Sequence, residues 1–279
     1  MKQSIADADW LIISTAMDTA RAENAPVVVV GTDTDLLVML VAQATTDMDL
    51  HMLFCRTPCQ MYSIGEIQEA FQNIKQHLMF VHAITGCDSV SALYNQGKKK
   101  ALAVLLNGDN WDCLSVFSRS GSTQDEIARV GELFLLQLYG ATRSKTLDKF
   151  RYLMYTQLVH RTSLTSSSFK LETLPPTSAA AKFHSYRAYL AVQQWHGNEM
   201  PPTEWGWQHR EGILDPVGTD RPVAPEKVLK IISCGCKTGC GKRCSCYKSG
   251  LECSLLCTVC NGHNCKNSRV IDLEGDDSA

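Results

Sequence analysis

At 279 residues, 44 % hydrophobic and 20 % charged, the chain is long enough to bury a sizeable core and to hold two or three units. No apolar stretch approaches the roughly 20 residues of a membrane-spanning helix, so a helical membrane protein is excluded and no membrane partner is expected. The net charge of −2 hides an asymmetry: between Lys227 and Val270 eight basic residues stand against one acid, Glu252, so that segment carries +7 and the remainder −9.

Residues 5–22, IADADWLIISTAMDTARA, place apolar residues at helical spacing until Asn24 and Pro26 interrupt them. Val27 to Val30 form an apolar β-branched run between turn residues, which predicts a strand of a parallel sheet buried on both faces. It ends in Gly31-Thr32-Asp33-Thr34-Asp35, and Leu36 to Ala44 read as the next helix, giving a helix-strand-helix unit of an α/β domain. The functional end of such a sheet lies beyond the carboxyl ends of its strands, where Asp33 and Asp35 fall. Paired acids there serve either as helix N-caps or as ligands, and Asp7 and Asp9 supply a second close pair.

Further strands are predicted at Leu50 to Phe54 and near Gln60 to Ile64, and a helix from Gly65 to about Gln76. Cys55 and Cys59 have no further metal-ligating partners nearby in sequence and read as ordinary thiols. The apolar run Leu78 to Ile84 delivers Gly86-Cys87-Asp88, and His82 within it is expected to be a satisfied core histidine rather than a ligand. After Asp88 the sequence predicts a helical hairpin: a short helical segment turning at Gly97, then a helix from Lys98 to Leu106 that ends at Gly108. Lys98, Lys99 and Lys100 open that second helix, where free backbone N–H groups suit a phosphate, unless the run is a solvated face.

Thr123 to Leu138 reads as an amphipathic helix with Thr123 and Glu126 in capping-box spacing, Leu147 to His160 as another, and Thr177 to Gln194 as a third, Ala-rich one. Tyr186, Tyr189 and Trp195 on the third are read as packing residues. Trp205 and Trp207 suit a short ordered strand in an otherwise irregular, Pro-containing stretch. The acidic end, Asp272 to Ala279, reads as a disordered tail.

Between Cys234 and Cys265 lie nine of the thirteen cysteines: Cys234, Cys236, Cys240, Cys244, Cys246, Cys253, Cys257, Cys260 and Cys265. So few apolar residues build no core unaided, and an odd count leaves one thiol over in a disulfide framework, so the pattern points to zinc. Three tetrahedral ions need twelve ligand positions, which six terminal and three bridging thiolates supply; two separate four-thiolate sites are the alternative. Three ions with nine thiolates carry −3, a charge that neighbouring Lys and Arg would offset.

Two resemblances follow from these residues. The order ADAD, GTDTDLL, GCDS with its Gly-Lys-Lys hairpin resembles the core of the PIN-like and flap-endonuclease-like nucleases. That resemblance implies Asp7, Asp9, Asp33, Asp35 and Asp88 as Mg²⁺ or Mn²⁺ ligands, with Lys98, Lys99 and Lys100 as phosphate contacts. The chemistry is consistent, since two hard ions about 3.5–4 Å apart activate water and stabilise the leaving oxygen, and such ions take carboxylates. Those nucleases start with an earlier strand bearing another catalytic Asp, whereas six residues precede Asp7 here, so the nuclease-like copy is expected to be incomplete and inactive in this chain. The paired C-x-C elements Cys234/Cys236 and Cys244/Cys246 resemble the tesmin-type cysteine-rich CXC domain, which implies zinc, DNA as partner, a nuclear location, and Lys237, Lys242, Arg243, Tyr247 and Lys248 as contacts to the nucleic acid.

The expected fold class is therefore α/β, an incomplete PIN/flap-endonuclease-like parallel sheet with helices in residues 1–110, then a helical and irregular connecting region in 111–226, a zinc module in 227–270 and the tail in 271–279. GTDTDLLVML, HAITGCDSVSA, LPPTSAAA, WGW and ISCGC together resemble a group of animal proteins that look derived from mobile elements. Three functions stay open: a zinc-dependent DNA-binding protein with an inactive nuclease-like domain, an active divalent-metal nuclease, and a protein-interaction scaffold with structural zinc.

Overall fold

A computed structural model of the chain describes residues 8–23, 25–55, 57–108, 111–141, 143–165, 170–221, 240–248 and 267. The chain is mixed α/β, about 54 % helical, so helices rather than the small sheet supply most of the core. In order, the elements are α1 (Asp9–Glu23), β1 (Val27–Gly31), α2 (Thr34–Gln43), β2 (Leu50–Phe54), β3 (Gln60–Ser63), α3 (Ile64–Ala70), α4 (Leu78–Ile84), α5 (Lys98–Asn107), α6 (Gln124–Leu138), α7 (Leu147–Thr165), α8 (Ser178–Trp195), β4 (Trp207–Arg210), β5 (Ile213–Pro216) and α9 (Ser245–Lys248). None of these helices is long and apolar enough to cross a membrane. The chain divides into two compact units, 1–220 and 221–279.

In the first unit β1 pairs parallel with β2, and α2 is the crossover between them. β3 pairs antiparallel with β2, from His51 against Ser63 to Phe54 against Gln60. The sheet order is β1-β2-β3, so the sheet is mixed rather than the parallel one expected. Only five residues link β2 to β3, which permits a hairpin but is far too short for the crossover a parallel pair needs.

One face of this sheet is buried, by Val29, Leu50 and Met52 against α2 and its neighbours. The other is open. Val28 and Val30 are 44 % and 63 % exposed, and β1 is an edge strand. The prediction of a strand covered on both faces thus fails: a four-valine run signals two apolar faces, but helices cover only one of them.

The region expected to connect two modules contributes to the same core. Phe80 of α4 packs against Phe117 in a tilted contact and against Phe134 edge to face, with ring centroids 4.3 and 4.9 Å apart, so the apolar interior is continuous across Trp111. α8 runs through the middle of the unit and is buried on nearly every side. A helix so enclosed must satisfy its polar side chains internally, and α8 does so by binding carbonyls of its surroundings. His184 Nε2 donates to Ile84 O (2.8 Å), Gln193 Nε2 to Phe117 O (2.8 Å), Tyr189 Oη to Arg119 O (3.1 Å), and Arg187 to Gly206 O and Val217 O (3.0 and 2.8 Å). Gly131 of α6 lies against Ser185, where an added Cβ would stand 2.0 Å from the hydroxyl, so α6 and α8 approach too closely for any side chain there. Tyr186, Tyr189 and Trp195 are buried, in agreement with their reading as packing residues. The capping box of Thr123 and Glu126 is also present, with both reciprocal bonds formed.

Candidate functional site

The carboxyl end of β1 delivers the acidic loop. Gly31 leaves the sheet, and Asp33 caps α2 by accepting the backbone N–H of Asp35 at 2.9 Å. Asp35, one residue into the helix, turns inward and is buried. Its Oδ1 lies 2.5 Å from Nε2 of His82 on α4, a distance at which the carboxylate accepts a short, charge-assisted hydrogen bond from the imidazole. The ring of His82 in turn packs on Trp195 at the end of α8, 5.6 Å between centroids. The pair therefore ties α2, α4 and α8 together beneath the loop, and His82 is the satisfied core histidine the sequence suggested.

Asp9 opens α1. Asp88 lies in an exposed turn closed by reciprocal backbone bonds between Cys87 and Val90. Gly86, just before it, has φ +116°, and a Cβ there would stand 2.8 Å from Ala92 Cα; both conditions require glycine. Residues 89–97 form turns and irregular backbone, with Asn95 at φ 54°, instead of the helical segment expected before Gly97. The left-handed φ of Asn95 falls within the stretch, which breaks any helical repeat. α5 then follows from Lys98 as predicted.

Of the three lysines, Lys98 donates from Nζ to Gly86 O at 2.6 Å and so anchors the Asp88 loop to α5. Lys100 donates to Gln96 Oε1 at 2.6 Å, and Lys99 is exposed. Among the described residues no three His, Cys, Asp or Glu side chains are grouped to hold a metal ion, so Asp9, Asp33, Asp35 and Asp88 do not converge as a set. Asp7 lies outside the described residues.

The C-terminal unit is described between residues 240 and 248 and at Asn267. Cys240 and Cys244 are 1 % and 6 % exposed, while Gly241, Lys242 and Arg243 between them are exposed, as are Tyr247 and Lys248. The local fold explains this alternation: a turn at Gly241, closed by Cys244 N–H to Gly241 O at 2.9 Å, leads into the single helical turn α9, which contains Cys246. Buried thiol sulfurs four residues apart on a tight turn suit a soft tetrahedral ion such as zinc. Cys234, Cys236, Cys253, Cys257, Cys260, Cys265 and Lys237 lie outside the described residues, as do Val228 to Ile232 and the acidic tail.

Two features escaped the sequence reading. A cavity of about 700 Å³ between α5 and α6 is lined by Lys100, Val104, Trp111, Leu133 and Gln137, and the Trp111 indole N–H is buried there without a hydrogen-bond partner. The second is the partnership of Asp35 with His82, forty-seven residues apart and invisible to any local motif. Comparison with protein-family models, curated proteins and solved structures finds no match to this chain.

Proposed function

We propose that the chain is a zinc-dependent DNA-binding protein of the nucleus, in which the cysteine-rich C-terminal unit grips duplex and the α/β body is a nuclease-like domain without activity of its own. The observation that carries this reading is the opposed burial of residues near the turn at Gly241: Cys240 and Cys244 buried, Lys242, Arg243, Tyr247 and Lys248 exposed. A metal core of thiolates is negative, so part of the surrounding charge offsets it, and the remainder faces the phosphates. Tyr247 adds a planar, amphipathic side chain beside those cations.

The inactivity of the body is supported by how its carboxylates are used. Two-metal hydrolysis needs several carboxylates free to share hard ions. Asp33 caps a helix and Asp35 is held by a buried imidazole, so both already serve the fold.

The test is anisotropy titration of duplex DNA with the zinc-loaded chain at several salt concentrations. Affinity is expected to fall steeply with salt, and each of Lys242→Ala and Arg243→Ala to lower the logarithmic salt slope by about 1. An absence of binding at low salt overturns the reading. Mn²⁺-dependent cleavage of branched DNA that disappears in Asp33→Asn would instead establish the active nuclease.

A further inference from the structure

The β2–β3 hairpin carries a cysteine at each end of its turn, and its register brings them together. His51 faces Ser63, Met52 faces Tyr62, Leu53 faces Met61 and Phe54 faces Gln60, where the ladder ends; Cys55 and Cys59 directly follow and precede that last rung, so continuing the register sets them opposite one another. The type of rung follows from the parallel neighbour. Cys55 N–H donates to Gly31 O of β1 at 2.9 Å, so the backbone of Cys55 points towards β1 and away from β3. On the continued register Cys55 and Cys59 take the place of a non-hydrogen-bonded antiparallel pair, the kind whose Cα atoms are about 4.5 Å apart and whose side chains are closest. That separation lies inside the range of about 4.4–6.8 Å that a disulfide spans. The Cys55 thiol lies 3.8 Å from Leu53 O of its own strand and neighbours that of Cys59. By the alternation of the strand, Cys55 shares the open sheet face with His51 and Leu53, and Cys59 is exposed.

We propose that Cys55 and Cys59 are a dithiol site that exchanges reversibly with low-molecular-weight disulfides, closing a cross-strand disulfide at the edge of the acidic loop. The exposed Cys59 thiolate attacks a disulfide such as oxidised glutathione, forming a mixed disulfide and releasing one glutathione thiolate. Cys55 sulfur then attacks Cys59 sulfur, and the second glutathione leaves. One S–S bond is broken and one formed, the oxidant takes up two electrons, and the two thiol protons pass to the two released thiols. The order of attack follows from accessibility. Desolvation first, and then the neighbouring Cys59, push the Cys55 thiol above its ordinary range, so Cys55 is the resolving rather than the attacking group.

The site is open to a direct test, because Arg56 lies between the two cysteines. Trypsin cleaves the chain into residues 22–56, with Cys55 alone, and 57–75, with Cys59 alone. After the full-length, zinc-loaded chain is titrated with oxidised glutathione and free thiols are alkylated, mass mapping without reductant is expected to recover these peptides joined, two hydrogens lighter than their sum, and separated again by dithiothreitol. Cys55→Ser is expected to leave Cys59 glutathionylated, whereas Cys59→Ser leaves Cys55 alkylated rather than oxidised. Recovery of the wild-type peptides apart, each alkylated or each carrying glutathione, overturns the proposal, as does an unmodified Cys59 in Cys55→Ser.

Discussion

The acidic loop and the cysteine-rich run both present chemistry-bearing residues at short spacing, yet the fold treats them in opposite ways. At the end of β1 the carboxylates are absorbed into structure: Asp33 completes the first turn of α2, and Asp35 fills the hydrogen-bonding need of a buried imidazole. In the C-terminal unit Cys240 and Cys244 are enclosed while Lys242, Arg243 and Lys248 are exposed. The difference follows from what each neighbourhood already holds. A helix N-terminus between packed helices has unsatisfied donors of its own to offer a carboxylate, whereas a glycine- and lysine-rich segment has nothing apolar to enclose and needs its thiolates for a metal.

The largest effect that would break this contrast lies in the second region. The zinc-loaded chain is expected to show three ions by native mass spectrometry, and replacing Cys240 and Cys244 by serine to lower that number and abolish duplex binding; full occupancy in the double variant would remove the metal reading of the turn. Next comes the buried helix α8. His184, enclosed and donating to a carbonyl, is held neutral, its pKa depressed to about 4 chiefly by burial. Its folded pKa lies below the unfolded value near 6.5, so the stabilisation is complete above about pH 6.5 and is lost as pH falls towards 4, amounting to about 3 kcal/mol. Burial lowers the pKa of His77 and His196 as well, which adds loss of the same sign. Urea unfolding at pH 7 and pH 5 measures this, and His184→Gln should flatten the dependence.

Within the acidic loop the two aspartates separate by magnitude. Asp35→Ala leaves the His82 imidazole buried and unpaired, at a cost of about 2 kcal/mol. Asp33→Ala removes only a cap, at about 1 kcal/mol, and Asp33→Asn, which caps equally well, is expected to be nearly neutral in denaturant unfolding. Equal losses for Asp33→Ala and Asp35→Ala would show that the loop has no such division of roles. The smallest effect is on the open sheet face: Val30→Lys should change stability by less than about 0.5 kcal/mol, whereas Val29→Ala on the covered face costs about 2 kcal/mol. A large loss for Val30→Lys would mean that the exposed face is covered in solution.

Much of the local architecture was legible because its signals are local. Thr123 and Glu126 three residues apart announce a capping box; Val27 to Val30 and Leu50 to Phe54 announce strands; Gly97 followed by three lysines announces the start of α5. The stretch from Ser89 to Gly97 misled because its composition permits a helix and only the close packing of Gly86 on Ala92, with Asn95 left-handed, decides otherwise. The four valines misled for a related reason: side-chain character tells which faces can be buried, not which will be.

What the sequence alone determined is thus the identity and order of most elements, and the concentration of thiols and positive charge near the C-terminal end. Propensity, capping and turn chemistry act within a few residues and can be read there. What only the tertiary structure decided is which groups meet: Asp35 with His82, and the side chains of α8 with the carbonyls around them. Such pairings depend on register and helix packing, which place residues far apart in the chain within a few ångströms, and a carboxylate so placed answers to its buried neighbour before it can answer to a metal.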